Sequence, residues 1–253
     1  MTAKLVGSVV VVTGGNAGIG AGIVERLVDD GATVVVGVEN DTIADEVRHR
    51  WAETGAIDPD DVVAADLRDR AACRSLIDGC VERHGQIDAL VNNAAVTGAA
   101  ARGAFLDVSD DAFDHLMDVN VGAAFRCGRR AAQHMVEQGD GVIVNIGSVG
   151  GFVAQYTGSA YSTSKSALLG LTRGIALELG AHGVRSVYVA PGDIDTGLAP
   201  SDYAPSHPYE RTTPFRRRGT PADVAGVVAF LCSPDAEFVS GTSWAVDGGW
   251  LSY

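Results

Sequence analysis

Short runs of apolar, mostly β-branched residues recur along the chain and are separated by segments of helical length. Polar residues do not alternate with apolar ones inside these runs, as they would in a strand with one face in water. Strands of this kind are typical of parallel sheets that are covered by helices on both faces. The pattern predicts strands at residues 9–12, 33–38, 62–65, 89–91, 142–146, 184–189 and 243–246.

The segments between the predicted strands carry signals for helix ends. Most of them end at or just before a glycine, which often occupies the left-handed position after a helix. They predict helices at residues 19–29, 70–84, 110–137, 162–179 and 221–232. This regular alternation indicates one α/β domain, residues 1–253, with a doubly wound parallel sheet and helices on both faces.

One long stretch, from Pro191 to Thr220, breaks the alternation. It is rich in prolines and aromatic residues, and a loop of this length inside a domain is more often functional than idle. We expect a substrate lid at about residues 193–218, with a plain surface excursion as the alternative. The residues that make the stretch irregular are Pro200, Pro205, Pro208, Pro214, Tyr203, Tyr209 and Phe215.

The net charge of the chain limits the kinds of molecule that we expect it to bind. The chain contains 19 basic and 32 acidic side chains, which gives a formal net charge of −13. Such a surface repels nucleic-acid phosphates and most anionic membranes, so we expect neither partner. The longest early apolar run, residues 5–12, is too short to span a bilayer and leads into glycines instead of a cleavage site. We therefore expect a cytoplasmic protein.

The cysteines show neither a CxxC pair nor the histidine spacing of a zinc site. Their number is also low for a disulfide scaffold. We expect reduced packing residues and no bound metal, with a reactive cysteine as the alternative, although none has an evident activating partner. The four residues are Cys73, Cys80, Cys127 and Cys232.

A glycine-rich segment, Thr13 to Gly20, follows the first predicted strand and precedes the first helix. Glycines at such a turn let the backbone approach a pyrophosphate, and the helix N-terminus supplies free N–H groups with a partial positive charge. The spacing is TGxxxGxG, which differs from the GxGxxG fingerprint. The segment predicts a dinucleotide site.

Glu39 stands at the end of the second predicted strand. A carboxylate at this place can accept hydrogen bonds from the adenosine ribose hydroxyls, and it repels a 2′-phosphate. No arginine or lysine occurs within residues 37–47 or in the glycine turn to neutralise that phosphate. The sequence therefore favours NAD(H) over NADP(H), with an ordinary solvated acid as the alternative interpretation of Glu39.

Tyr161 and Lys165 lie four residues apart near the start of a predicted helix, so their side chains share one face. A YxxxK pair alone is common, and a solvated lysine beside a packed tyrosine is the simpler interpretation. Three further polar residues strengthen the interpretation of the pair as catalytic. They are Ser148 just past a buried strand, Asn120 within the preceding helical stretch, and Asn93 after another strand.

Together these motifs resemble the short-chain dehydrogenase/reductase family, whose members have the Rossmann fold, from the first strand to the last residues. The departures from the family pattern are Ala95, where many members have glycine, and Ser186 in the strand before Pro191. The resemblance rests on the joint order and spacing of TGGNAGIG at 13–20, Asp66-Leu67, NNAA at 92–95, Asn120, Ser148, YSTSK at 161–165, PGDIDT at 191–196 and VDGG at 246–249.

The resemblance implies an NAD(P)-dependent oxidoreductase that interconverts a secondary alcohol and a ketone. Asp66 and Leu67 would flank the adenine, and Ile194 and Thr196 would hold the nicotinamide carboxamide. A homotetramer is also implied, with Trp244, Trp250 and Tyr253 as aromatic interface residues. The full implied cofactor site is Gly14, Asn16, Gly18, Ile19, Gly20, Glu39, Asp66, Leu67, Asn93, Tyr161, Lys165, Pro191, Gly192, Ile194 and Thr196.

The chemistry of the catalytic residues is consistent with this resemblance. A phenol with an unperturbed pKa of about 10 is a poor base at neutral pH, so a cation must favour its phenolate. We expect the Lys165 ammonium to lower the Tyr161 pKa by roughly three pH units and to hold the nicotinamide ribose. Tyr161 is then the general acid/base, Ser148 binds the substrate oxygen, and Asn120 positions a water chain. The expected substrate pocket also contains Gln155, Tyr156 and Tyr203.

Two other functions stay open. A 3-oxoacyl-carrier-protein reductase usually prefers NADPH and docks an acidic carrier, which Glu39 and the overall acidity disfavour. Arginines of the expected lid favour it, although they can also bind an anionic substrate or form salt bridges to the acidic body. A non-catalytic NAD-sensing or scaffold protein would share the fold without needing the polar set around Tyr161. The lid arginines are Arg211, Arg216, Arg217 and Arg218.

Overall fold

Seven parallel strands form the central sheet. The computed structural model describes residues 4–197 and 213–252 of the chain. The strands lie in the order β3-β2-β1-β4-β5-β6-β7, and each neighbouring pair is parallel. The predicted doubly wound single-domain fold is confirmed. The strands are β1 (Val9–Thr13), β2 (Thr33–Val38), β3 (Val62–Ala64), β4 (Ala89–Asn92), β5 (Gly141–Ile146), β6 (Val184–Pro191) and β7 (Ser243–Val246).

Helices cover both faces of the sheet. Consecutive residues of β1 point to opposite faces, with Val10 and Val12 in one apolar cluster and Val9 and Val11 in the other. All four side chains are at most 5% exposed. Burial on both faces explains why this strand shows no alternation of apolar and polar residues. The helices are α1 (Gly18–Asp29), α2 (Asp41–Ala52), α3 (Arg70–His84), α4 (Asp110–Met117), α5 (Ala123–Gln138), α6 (Ser159–Leu179) and α7 (Pro221–Cys232).

The helix α2 was not among those predicted from the sequence. Its apolar stripe is thin, because Ala44 and Val47 are its fully buried residues. The signal that could have revealed it is Asn40, whose side-chain oxygen accepts a hydrogen bond from the Ile43 N–H at 3.0 Å. This contact is a typical N-cap of the first helical turn.

The predicted helix over residues 110–137 is interrupted. Between α4 and α5 the backbone forms a π-helical turn, Asp118–Gly122, in which the Ala123 N–H bonds to the carbonyl of Asp118 five residues back. A turn of this kind widens the helix by one residue and is frequent at functional sites. The buried residue Asn120 lies in the middle of it.

The strand order places a crevice above β1 and β4. β1 pairs with β2 on one side and with β4 on the other, so the chain leaves these neighbouring strands toward opposite faces of the sheet. In doubly wound sheets, ligands bind in the crevice that opens at this point beyond the carboxyl ends of the strands. The glycine turn follows β1, and Asn93 follows β4.

None of the helices in the described ranges is both long enough and apolar enough to cross a bilayer. The four cysteines are free thiols, and three of them are buried. Cys73 donates its S–H to the carbonyl of Leu67 at 3.1 Å. The burial of three thiols agrees with the expected packing role, while Cys127 and Arg126 lower the pKa of Cys73 to about 7.

Candidate active site

A cleft of about 580 Å³ lies at the carboxyl ends of the strands. Its volume is typical of a site for a drug-sized or cofactor-sized ligand. The cleft contains nearly all of the residues predicted from the sequence. They are Gly14, Asn16, Gly18, Ile19, Gly20, Glu39, Asp66, Leu67, Asn93, Ser148, Gln155, Tyr161, Lys165, Pro191, Gly192, Ile194 and Thr196.

The glycine turn has the shape of a phosphate cradle. Gly14 and Gly18 have φ values of 65° and 54°, a region that other residues rarely adopt. A Cβ atom at Gly20 would overlap the carbonyl oxygen of Gly14. The N-cap of α1 is Ala17, which makes no side-chain hydrogen bond to the first turn. The first N–H groups of this 12-residue helix therefore have no capping side chain, and an anionic group fits there.

Asn93 fixes the glycine turn to the end of β4. Its side-chain amide donates to the carbonyls of Thr13 and Gly14 at 3.0 and 2.9 Å. The Thr13 hydroxyl in turn accepts hydrogen bonds from the N–H groups of Asn93 and Ala94. Asn93 thus lines the cleft beside the glycine turn, and its contacts show that it holds the backbone of the turn.

Arginines that are distant in sequence approach the predicted adenosine end. Arg68 forms a two-pronged ion pair with Asp66, with N–O distances of 2.6 and 2.9 Å, and it holds the pKa of Asp66 below its usual range. Arg50 donates to the carbonyl of Asn16 at 2.8 Å. The sequence argument about Glu39 considered residues 37–47 and the glycine turn, and so missed both arginines. Each already binds a group of the protein.

Tyr161 and Lys165 both face the cleft from the first turns of α6. The Lys165 Nζ donates to the carbonyl of Ile146 at 3.0 Å and lies 5.7 Å from the centroid of the Tyr161 ring. Burial lowers the pKa of Lys165 to about 8. The Ser148 side chain acts to lower the pKa of the Tyr161 phenol. Three of the four residues predicted as catalytic, Ser148, Tyr161 and Lys165, therefore line one cleft.

The expected lowering of the Tyr161 pKa by Lys165 is not seen in the protein without its cofactor. Burial raises the pKa of Tyr161, and the Ser148 side chain and the positive charge of Arg102 oppose that rise. Desolvation has the largest effect because burial disfavours the charged phenolate. Lys165 is not among the groups that shift this pKa.

A second buried tyrosine, Tyr188 of β6, contacts the main chain of Ser148 and Lys165 through its hydroxyl. Its hydroxyl oxygen lies 3.0 Å from both the main-chain nitrogen and the carbonyl oxygen of Ser148, and 3.1 Å from the carbonyl oxygen of Lys165. The side chain is fully buried. Sequence reasoning missed it because a tyrosine in an apolar strand is read as a core residue.

Asn120 contacts neighbouring loops and not the cleft. Its oxygen accepts from the Val96 N–H at 2.7 Å, and its amide donates to the hydroxyl of Ser164 at 3.0 Å. Ser164 donates to the main-chain carbonyl of Tyr161 at 2.7 Å. The side chain of Asn120 therefore connects the loop after β4 to the helix that carries Tyr161.

A model of a protein family, described as enoyl-(acyl carrier protein) reductase, matches residues 14–251. The chain belongs to the short-chain dehydrogenase/reductase family. It is 34% identical to 3beta-hydroxysteroid dehydrogenase 2 of Eggerthella lenta, over 98% of this chain and 96% of that protein. It is 36% identical to 2-(R)-hydroxypropyl-CoM dehydrogenase of Xanthobacter autotrophicus, over 96% and 98% of the two chains.

A solved structure from Sinorhizobium meliloti 1021, provisionally described as a short-chain alcohol dehydrogenase, has the same fold. It is 33% identical, covers 100% of this chain and 99% of its own, and superposes with a TM-score of 0.87. This short-chain dehydrogenase/reductase is accordingly an NAD(P)-dependent enzyme that interconverts secondary alcohols and ketones, and its substrates are small molecules.

The substrate end of this short-chain dehydrogenase/reductase differs in part from the prediction. Gln155 lines the cleft, whereas Tyr156 is 55% exposed and does not, and Tyr203 lies outside the described residues. Trp250, expected at an interface, lines the cleft, while Trp244 packs against Phe230. Tyr253 is also outside the described residues. The lining residues Arg102 and His115 were not predicted, because no motif marks them.

The arginines of the expected lid are mostly paired with acids. Arg217 binds Asp223 at 2.8 Å, and Arg218 binds Asp193 at 3.1 Å. Of the other two, Arg216 has a left-handed backbone with φ 53°, and Arg211 lies outside the described residues. The salt-bridge interpretation therefore holds for Arg217 and Arg218.

Proposed function

We propose that this short-chain dehydrogenase/reductase uses NAD(H), with Tyr161 as the general acid/base for the oxygen of the substrate. The observation that carries the proposal is that Ser148, Tyr161 and Lys165 line the same cleft as the uncapped N-terminus of α1. The glycine cradle and this N-terminus accept a pyrophosphate, and the three side chains then lie at the far end of the cleft.

Each side chain has a distinct task. Tyr161 gives a proton to the carbonyl oxygen during reduction and removes it from the hydroxyl during oxidation. Ser148, which lines the cleft beside the phenol, holds the same oxygen and stabilises the charge that develops on it. Lys165 is held by the Ile146 carbonyl, and its ammonium would bind the ribose of a bound cofactor. A bound nicotinamide supplies the hydride chemistry, and its positive oxidised form favours the phenolate.

Asn120 belongs to this set as the residue that positions the helix. Its contact with Ser164 fixes the first turn of α6, and the π-helical turn around it changes the pairing of main-chain carbonyls near the site. Water ordered by one of these carbonyls would link Lys165 to solvent for proton exchange. The proposal therefore assigns Ser148, Tyr161 and Lys165 to the reacting groups and gives Asn120 a positioning role.

The preference for NAD(H) rests on Glu39. The carboxylate is exposed at the end of β2 and lines the cleft. Arg68, which also lines the cleft, forms an ion pair with Asp66. A 2′-phosphate would thus meet an acid and an arginine that already binds a carboxylate, whereas ribose hydroxyls would find an acceptor.

Three further properties are proposed by resemblance. The segment 193–218 acts as a substrate lid, supported by the pairing of Ile194 with Gly219 at its base. Tyr203 of that segment contacts substrate together with Gln155. The enzyme is a cytoplasmic homotetramer. The NADPH-dependent carrier-protein reductase is less well supported, because Arg217 and Arg218 are paired within the chain.

The experiment that tests the proposal is a panel of secondary alcohols, steroids, sugars, ketones and acyl thioesters, followed by nicotinamide absorbance with each cofactor. Turnover of alcohols or ketones with NAD(H) is expected. Binding of NADH without turnover of any panel member would instead support a sensing protein. Turnover of acyl thioesters with NADPH alone would support the carrier-protein reductase.

A further inference from the structure

Arg102 lies at the substrate end of the cleft, on the loop that follows β4. It lines the same cleft as Ser148 and Tyr161. The next residue, Gly103, donates its N–H to the carbonyl of Thr157 at 2.8 Å, and Thr157 belongs to the loop just before α6. This bond fixes the loop of Arg102 against the element that carries Tyr161.

The charges around Arg102 make it unusual in this acidic protein. The other arginine near the substrate end, Arg218, is balanced by Asp193 and Asp195 at 3.1 and 3.3 Å. Within residues 4–197 and 213–252, no carboxylate forms an ion pair with Arg102. Among the residues that the structure describes, the cleft thus contains two cations without an acidic partner, the buried Lys165 and the exposed Arg102.

The positive charge of Arg102 reaches the reacting group. Its charge opposes the rise in the pKa of the Tyr161 phenol that burial causes. An anionic group of a substrate whose oxygen contacts Tyr161 would therefore lie within the same field. A guanidinium is planar and always charged, and it binds carboxylate, sulfonate or phosphate through two parallel hydrogen bonds.

We propose that Arg102 binds an anionic group of the substrate, so that the preferred substrates are secondary alcohols or ketones that also carry a carboxylate, sulfonate or phosphate. This inference rests on the proposed function, because it assigns the substrate class of the same site. The hydroxyl or carbonyl contacts Ser148 and Tyr161, and the anion lies toward the loop of Arg102. Apolar side chains such as Val96 and Trp250 line the remaining wall.

The test compares methyl ketones that differ only in charge. A series of keto acids with one to four methylenes between carbonyl and carboxylate is assayed with NADH beside the corresponding primary amides. The wild-type enzyme should reduce at least one acid better than its amide. In Arg102→Gln, kcat/KM for that acid should fall about tenfold or more, while the amide changes less than about twofold.

Two variants control for folding and for overall charge. Arg102→Lys keeps the charge and should retain much of the preference for the acid. Arg74→Gln makes the same change in net charge on the exposed surface of α3, away from the cleft, and should leave both substrates unaffected. Thermal melts and NADH titrations verify that each variant is folded and binds cofactor.

The outcomes separate this inference from the proposed function. If amides and acids are reduced equally well, or if Arg102→Gln weakens both alike, Arg102 does not recognise an anion although the dehydrogenase activity stands. If the wild type reduces no ketone of either kind but turns over another alcohol or ketone of the panel, the inference fails and the proposed function stands. Loss of amide reduction in Tyr161→Phe but not in Arg102→Gln shows that the assay reports the two roles independently.

Discussion

The hydroxyl oxygen of Tyr188 lies 3.0 Å from both the N–H nitrogen and the carbonyl oxygen of Ser148. The same hydroxyl is 3.1 Å from the carbonyl oxygen of Lys165. One buried phenol therefore joins the end of β5, which carries Ser148, to the helix that carries Lys165. Since rates depend steeply on the placement of reacting groups, this contact has consequences for turnover.

Replacing Tyr188 with phenylalanine should lower both stability and turnover. The variant leaves the buried N–H of Ser148 without its partner, which costs about 1–3 kcal/mol of unfolding free energy. The looser Ser148 should reduce kcat by roughly tenfold or more, with the KM for NADH little changed. Urea unfolding and steady-state kinetics measure the two effects. A variant as active as wild type would show that Ser148 is held by other contacts.

Gly147 provides a second test of the same contact. A Cβ atom at this position would overlap the ring of Tyr188. Gly147→Ala should therefore destabilise the protein by about 1–3 kcal/mol, the range for overpacked cores. In the double variant Gly147→Ala/Tyr188→Ala, the alanine at position 188 no longer clashes with the new Cβ atom. Most of the destabilisation caused by Gly147→Ala should therefore disappear. Additive losses in a double-mutant cycle would argue against a steric cause.

Tyr161→Phe should abolish turnover by removing the hydroxyl that exchanges a proton with the substrate. The loss should be at least about a hundredfold in kcat, the scale of general acid/base catalysis. NADH affinity should stay nearly intact, because the glycine turn and the uncapped end of α1 are unchanged. Cofactor fluorescence measures affinity in the same samples. Substantial residual turnover would remove Tyr161 from the mechanism.

Lys165→Met should raise stability at neutral pH while it abolishes activity. Burial lowers the pKa of Lys165 from 10.5 to about 8, so below pH 8 the folded protein holds a charged lysine that it disfavours. The penalty is about 3 kcal/mol in that range. Between about pH 8 and 10.5 the unfolded chain binds more protons at this position than the folded protein, so wild-type stability rises relative to the variant. Urea unfolding at pH 7, 9 and 10.5 measures the difference, which should shrink as pH rises. A constant difference would contradict the assigned pKa.

The wild-type enzyme should show a higher kcat/KM with NADH than with NADPH, and Glu39→Gln should narrow that ratio. Removal of the carboxylate takes away an acceptor for the ribose hydroxyls and the repulsion of a 2′-phosphate. A change of about tenfold in the ratio is expected for one charge-assisted contact. Asp41→Asn, an acid at the start of the neighbouring α2 that does not line the cleft, is the control. A clear NADPH preference of the wild type would overturn the role of Glu39.

Local sequence patterns were sufficient for the framework of the site. Apolar runs predict the strands because both faces of a parallel sheet are buried, and β1 meets that condition with Val9 through Val12. The glycine turn is predictable because a tight strand-to-helix turn requires the positive φ of Gly14. Tyr161 and Lys165 share a face because a helix brings residues four apart together.

The tertiary structure alone decided how these parts are coupled. Tyr188 reaches Ser148 across 40 residues of sequence, and Asn120 reaches Ser164 across 44. The π-helical turn at Asn120 and the contact between the loops of Arg102 and Thr157 leave no periodic signal. The rise in the Tyr161 pKa also leaves no signal in the sequence, because burial depends on what the folded chain packs around the phenol. Sequence spacing determines which residues share an element, whereas the packing of those elements determines desolvation and the fields that act between them.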